Sequence, residues 1–193
     1  MAKDTKQIII QTLLKIAAEN ETQNITVEEI SRRSGITRNT IQSNFNNQGV
    51  AGIIDYINIT IIQEINEQIF RFNPNELPIE IFIDIVITVL WRHRDEAHLI
   101  YTTPLPFLPA DHTVELSIDW LHERYERLVK EHHLAPYFSA EELLRFYNIF
   151  LYACFSLWLS AKTPVPPEVF KEKFLYLMKT SMKDLIYGDI GLN

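Results

Sequence analysis

Arg38, Asn39, Gln42 and Ser43 are the side chains of this sequence whose types and spacing best suit recognition of another molecule. Steps of one, three and one residue put all four on one side of a helix. Arginine can donate two hydrogen bonds to guanine, asparagine or glutamine can pair with adenine, and a hydroxyl can reach a base or a phosphate. The chemistry of the set is therefore that of reading base edges in duplex DNA. Thr26, Thr37, Thr40, Asn44 and Gln48 flank it and supply short polar groups of the kind that hold phosphates.

The elements around this set are strongly signalled. Thr26 followed by Glu29 is a capping box, and Ile25 with Ile30 can close over it as a hydrophobic staple. A helix thus starts at Thr26 and runs to about Arg33, where Ser34 and Gly35 end it, because glycine takes the left-handed conformation at little steric cost. Thr37 can cap a second short helix with Thr40, Ile41 and Phe45 facing inward. Two short helices joined by a glycine-containing turn form a helix-turn-helix pattern, whose second helix enters the major groove.

The run Thr26-Val27-Glu28-Glu29-Ile30, Ser34-Gly35-Ile36-Thr37, Thr40-Ile41 and Phe45 resembles the N-terminal domain of the TetR/AcrR transcriptional regulators. Upstream, Ile9-Ile10, Leu13 and Ile16-Ala17-Ala18 match that family's first helix. The resemblance implies a homodimeric, ligand-responsive repressor that binds a palindromic operator, with an effector pocket between the fourth helix and those after it. By position the pocket would take Ile61, Phe82, Val86, Trp91, Tyr101, Trp120, Tyr147 and Leu151, a set suited to a small, largely apolar effector. The chain departs from the family at Gln42 and Asn44, where aromatics are frequent, and at Gln48, where lysine often starts the fourth helix. Each departure removes a phosphate contact or a positive charge. A second reading follows, a co-regulator of the same fold that binds a partner protein in place of DNA.

The chain has 193 residues, 47% hydrophobic, with five glycines. Few glycines and long isoleucine- and leucine-rich periodic runs predict an all-α protein. The division expected is a helix-turn-helix head over 1–46 and a helical effector-binding and dimerisation domain over 47–193. The net charge is −7, yet residues 1–50 hold six basic and five acidic side chains, so the head alone is not acidic. A single cysteine, Cys154, excludes an internal disulfide and is expected in the core. The N-terminus lacks the pattern of a signal peptide, and the expectation is a cytoplasmic protein with no membrane association.

The helices expected are 4–19, then one opened by Asn47 and running to about Phe72, then 78–94, 95–101 and 111–133. A loop with three prolines spans 103–109. Ser139 and Glu142 form a second capping box opening a helix to about Lys162, and a last helix runs to Tyr187 with Gly188 as its stop. On the 111–133 helix, Glu123 with Arg127 and Glu126 with Lys130 are expected as outward pairs, and His122 with Glu126 as a surface hydrogen bond. The last two helices carry more apolar residues than one domain can cover, which predicts a four-helix bundle across a two-fold axis. No phosphate loop, dinucleotide fingerprint, GxSxG elbow or paired-cysteine motif occurs, so neither an enzyme nor a cofactor is expected. The six histidines lack metal-ligand spacing, and no metal site is expected.

Overall fold

A computed structural model describes residues 2–20, 25–73, 76–103, 105, 121–133, 135–181 and 184, and their regular structure is entirely α-helical. The first helix, α1 (Ala2–Asn20), places Ile9, Leu13 and Ile16 at helical spacing, and all three are fully buried. Helix α2 (Val27–Ser34) starts where the Glu29 N–H donates to the Thr26 hydroxyl at 3.3 Å, and ends at Gly35, whose φ of 73° is left-handed. Thr37 caps α3 (Arg38–Asn44) by accepting from the Thr40 N–H at 3.2 Å. Ile30, Ile41 and Phe45 bury the inner faces of this pair, and α2 packs on both α1 and α3.

Half of the expected capping box is missing at Thr26. Glu29 does not reach back to the cap, because its carboxylate accepts from Arg33 one turn later at 2.8 Å. The next junction also differs from expectation. Asn46 and Asn47 both adopt left-handed φ values, 52° and 58°, so Asn47 turns the chain and caps nothing. Helix α4 (Gly49–Ile69) opens behind Gln48 without any side-chain cap. Gly52 allows this tight entry. A Cβ there would stand 2.5 Å from the Phe45 carbonyl oxygen and 2.9 Å from Gln48 Cβ.

Helix α5 (Ile79–Arg92) lies against α4, and α6 (Arg94–Thr102) touches α1, α4, α5 and α8 (Ala140–Leu159). Between them residues 121–131 form α7. Ser139 opens α8 with a complete capping box, and its bond to Glu142 holds that carboxyl below the usual range. The last described helix, α9 (Pro167–Lys179), packs on α5. It is interrupted at Thr180, which is extended, and Tyr187 and Gly188 lie outside the described residues. Ser181 then accepts from the N–H of Asp184 at 3.1 Å, and Asp184 is again helical. Residues 106–120 lie outside the described part, and with them fall most of the proline loop and the first half of the 111–133 helix. On α7, Arg127 lies 3.9 Å from Glu131.

One buried cluster runs without a break from Ile9, Ile30, Ile41 and Phe45 through Ile53, Ile57 and Ile61 to Phe155, Trp158 and Phe174. The N-terminal helices therefore share a core with the rest. Lys6 adds to that junction. Its ammonium sits 3.9 Å from the Tyr56 ring centroid and 5.5 Å from that of Phe45, tying α1 to α4 and to the end of α3. No helix among the described residues is long and apolar enough to cross a membrane.

Candidate functional site

The first candidate surface is the outer side of α3. Arg38, Asn39, Gln42 and Ser43 are all exposed there, while Ile41 in their midst is fully buried. This separation follows from the local sequence, since Ile41 and Phe45 at i, i+4 must both reach the core. Thr26, Thr37 and Gln48 are exposed as well, and Thr40 and Asn44 are half-buried. Several of these side chains have local work. The Thr37 and Thr40 hydroxyls share a hydrogen bond of 2.8 Å, Ser43 donates to the Thr40 carbonyl at 3.1 Å, and Asn44 donates to the same carbonyl at 2.7 Å. Asn39, Gln42 and Gln48 are the members of the set that project as plain exposed amides.

The arginines of this region are held by their own neighbours. Arg38 is paired with Glu28 across the α2–α3 turn. Arg33 is shared between Glu19 and Glu29, whose hydrogen bonds raise its already high pKa, and Arg32 lies 3.9 Å from Glu29. These pairs are exposed, where solvent screening leaves a salt bridge little weight in stability. Glu28 is thus the neighbour the sequence reading missed. It stands ten residues before Arg38, and only the reversal at Gly35 brings the two together.

The second candidate site is a cavity of about 450 Å³ enclosed by α4, α5, α6, α7 and α8, with Met178 of α9 at its edge. Such a volume suits a small organic ligand. Six of the expected residues line it: Ile61, Phe82, Val86, Tyr101, Tyr147 and Leu151. Trp91 does not. Its ring lies flat against Trp158, 5.5 Å between centroids, with Arg94 over it at 5.8 Å, and Trp158 stacks in turn on Phe170 at 4.1 Å. Trp120 lies outside the described residues.

The walls hold polar groups the sequence did not mark. Asn58 and Asn148 are buried and both line the cavity, and Asn148 donates to the Leu144 carbonyl at 3.0 Å. Arg124 reaches the lining too, a charged side chain outside the largely apolar set expected from the sequence. It follows Leu121 by three positions on α7, and its guanidinium donates to the Leu77 carbonyl at 2.9 Å. Tyr101 and Tyr152 meet edge to face, 5.2 Å between ring centroids, and burial pushes both phenols above their ordinary pKa.

A third feature is the outer side of α8 and α9. Phe146, Ile149 and Leu157 on α8 and Val169 and Tyr176 on α9 are exposed, Leu157 to 79%. These side chains are apolar surface left uncovered in the single chain. Behind it, Phe150, Phe155, Phe170 and Phe174 pack ring on ring. Cys154 is half-buried, and burial pushes its thiol up, away from the reactive thiolate.

The histidines serve as joints. His98 hydrogen-bonds the Leu159 carbonyl at 2.8 Å, fastening α6 to the end of α8. His93, at the α5–α6 break, stands between Glu96 and Glu64, which hold its pKa above the usual value against the opposing effect of burial. Among the described residues no group of His, Cys, Asp and Glu is placed to hold a metal ion. In comparisons with known proteins, no family model and no curated protein sequence matches the chain.

Proposed function

We propose that this protein is a ligand-responsive transcriptional regulator of the TetR/AcrR type, a repressor that binds a palindromic DNA operator as a homodimer. The observation that carries the reading is α3. It is a capped, two-turn helix whose inner side is sealed by Ile41 and Phe45 while Arg38, Asn39, Gln42 and Ser43 are exposed on the outer side. In this reading α1–α3 are a helix-turn-helix head and α4–α9 the effector and dimerisation domain. Arg38, Asn39, Gln42 and Ser43 contact bases, and Thr26, Thr37, Thr40, Asn44 and Gln48 contact the backbone. The uncovered α8–α9 stripe supports dimerisation through the last two helices, and two heads supply the contact area one short helix lacks.

The cavity supports an effector role, because its walls are also the struts of the head. Helix α4 begins at the end of α3, and α6 touches α1 as well as α8. A ligand that fits one spacing of these helices better than another shifts the heads by that difference in affinity. Titration of the protein with DNA from upstream of its own gene tests the proposal. Saturable, salt-sensitive, sequence-selective binding that weakens in Arg38→Ala is expected, and Leu157→Glu is expected to yield monomers that bind poorly.

A second reading has an observation in its favour. Arg32, Arg33 and Arg38 are all engaged by glutamates of the same three helices, which lowers the positive potential that phosphates need. Under that reading the fold binds a partner protein, and DNA binding is absent even at low salt.

A further inference from the structure

The cavity is a slot with two different ends. Along α4 its lining runs from Asn58 to Ile69, which at the helical rise is about 16 Å. A lining of that length along one helix suits an elongated ligand. At the outer end stand Ile79, Leu128 and Tyr147, all partly open to solvent, together with Arg124. At the inner end stand Leu90, Phe155, Tyr101 and Tyr152, beside Asn58.

The inner end carries no formal charge. Among the described residues the lining includes no aspartate, glutamate, lysine or histidine, and its single arginine sits at the other end, donating to the Leu77 carbonyl. A charged group pushed among these walls would lose its hydration with no counter-charge to offset the cost. Tyr101 and Tyr152, with the Asn58 amide beside them, are the polar groups of this end. Their rings touch, and neither hydroxyl has a hydrogen-bond partner among the described residues. Burial keeps both phenols protonated, so both remain donors. Both side chains are half-buried and line the slot, and each phenol can donate one hydrogen bond to an acceptor that enters it.

Building on the regulator reading, we infer that the slot takes an elongated, uncharged molecule whose single oxygen acceptor lies at the inner end, received by the Tyr101 and Tyr152 hydroxyls. A ketone or alcohol oxygen can accept from both phenols at once, while the rest of the molecule fills the apolar length between α4 and α5.

Calorimetric titration of the full chain with tridecan-2-one, tridecanoate and tridecylamine tests this. The ketone is expected to bind at least about tenfold more tightly than either charged comparator, and to weaken about five- to tenfold in Tyr101→Phe and in Tyr152→Phe. Both substitutions keep the ring and its packing, and their unliganded melting curves should stay close to the parent's. Three results overturn the inference: tridecanoate binding tightest and lost in Arg124→Gln, ketone binding indifferent to both phenylalanine variants, or no binding of any of the three. DNA binding read on the same samples separates the two ideas. Ketone binding in a chain that binds no DNA removes the regulator and keeps the ligand class, and DNA binding without ketone binding does the reverse.

Discussion

Helices α1–α3 and helices α4–α9 solve their packing in opposite ways. In α1–α3 the polar groups are satisfied within the three helices: Thr26 and Thr37 cap, Gly35 turns, Thr40 collects two side-chain donors, and each arginine meets a glutamate. In α4–α9 two demands go unmet, an open slot between the helices and an apolar stripe on α8 and α9. Helices α1–α3 project polar groups outward, whereas α4–α9 leave a slot and an apolar surface open. In the proposed reading this separates recognition, which needs a rigid surface, from response, which needs volume to be filled.

The contrast can be broken by mutation, and the largest effect is expected in the head. Ile41→Ala removes a fully buried side chain from a packed site and should lower stability by about 2–5 kcal/mol. Val86→Ala, on the slot wall, should cost less, because one side of that residue already faces a void. Equal losses in denaturant unfolding would contradict the difference between the regions. Next comes Gly52→Ala, where the new methyl meets the Phe45 carbonyl. The joint between head and body should then shift at a cost of about 1–3 kcal/mol. Thr26→Ala, which deletes a single cap, should cost about 1 kcal/mol.

The smallest effect is a pH dependence confined to the body. His93 is raised above 6.5 in the folded state, so its contribution is fully present below that value and is lost as pH climbs through the raised pKa. Glu96 is lowered below 4.5, so its share is present above that value and is lost as pH falls. The joint formed by Glu64, His93 and Glu96 thus contributes most between about pH 4.5 and 6.5. Melting curves should show His93→Asn further below the parent at pH 6 than at pH 8.5, and an equal gap at both would refute the role given to this joint.

How far the sequence could be read follows the same division. The caps at Thr26, Thr37 and Ser139 and the stop at Gly35 are signals within three or four residues, and each was legible. Glu29 illustrates the limit, since the capping-box pattern could not show that Arg33 would compete for its carboxylate. Asn46 and Asn47 read as a break, but not as two consecutive left-handed residues. In the slot, position along each helix located Ile61, Phe82, Val86 and Tyr101. It failed for Trp91, because the ring it stacks on lies 67 residues away. Arg124 was missed for a related reason, as its partner is a backbone carbonyl on another segment and leaves no trace in the sequence pattern.

The central claim is that the outer side of α3 reads DNA, and the Arg38–Glu28 pair makes it testable with two single substitutions. Titrating one operator duplex at low salt with the parent, Arg38→Ala and Glu28→Gln measures it directly. If Arg38 contacts DNA it must first leave Glu28, so the account predicts that Glu28→Gln binds more tightly than the parent by a few-fold and Arg38→Ala more weakly by about tenfold or more. Identical affinities for the three proteins, or no binding by any of them, would contradict it.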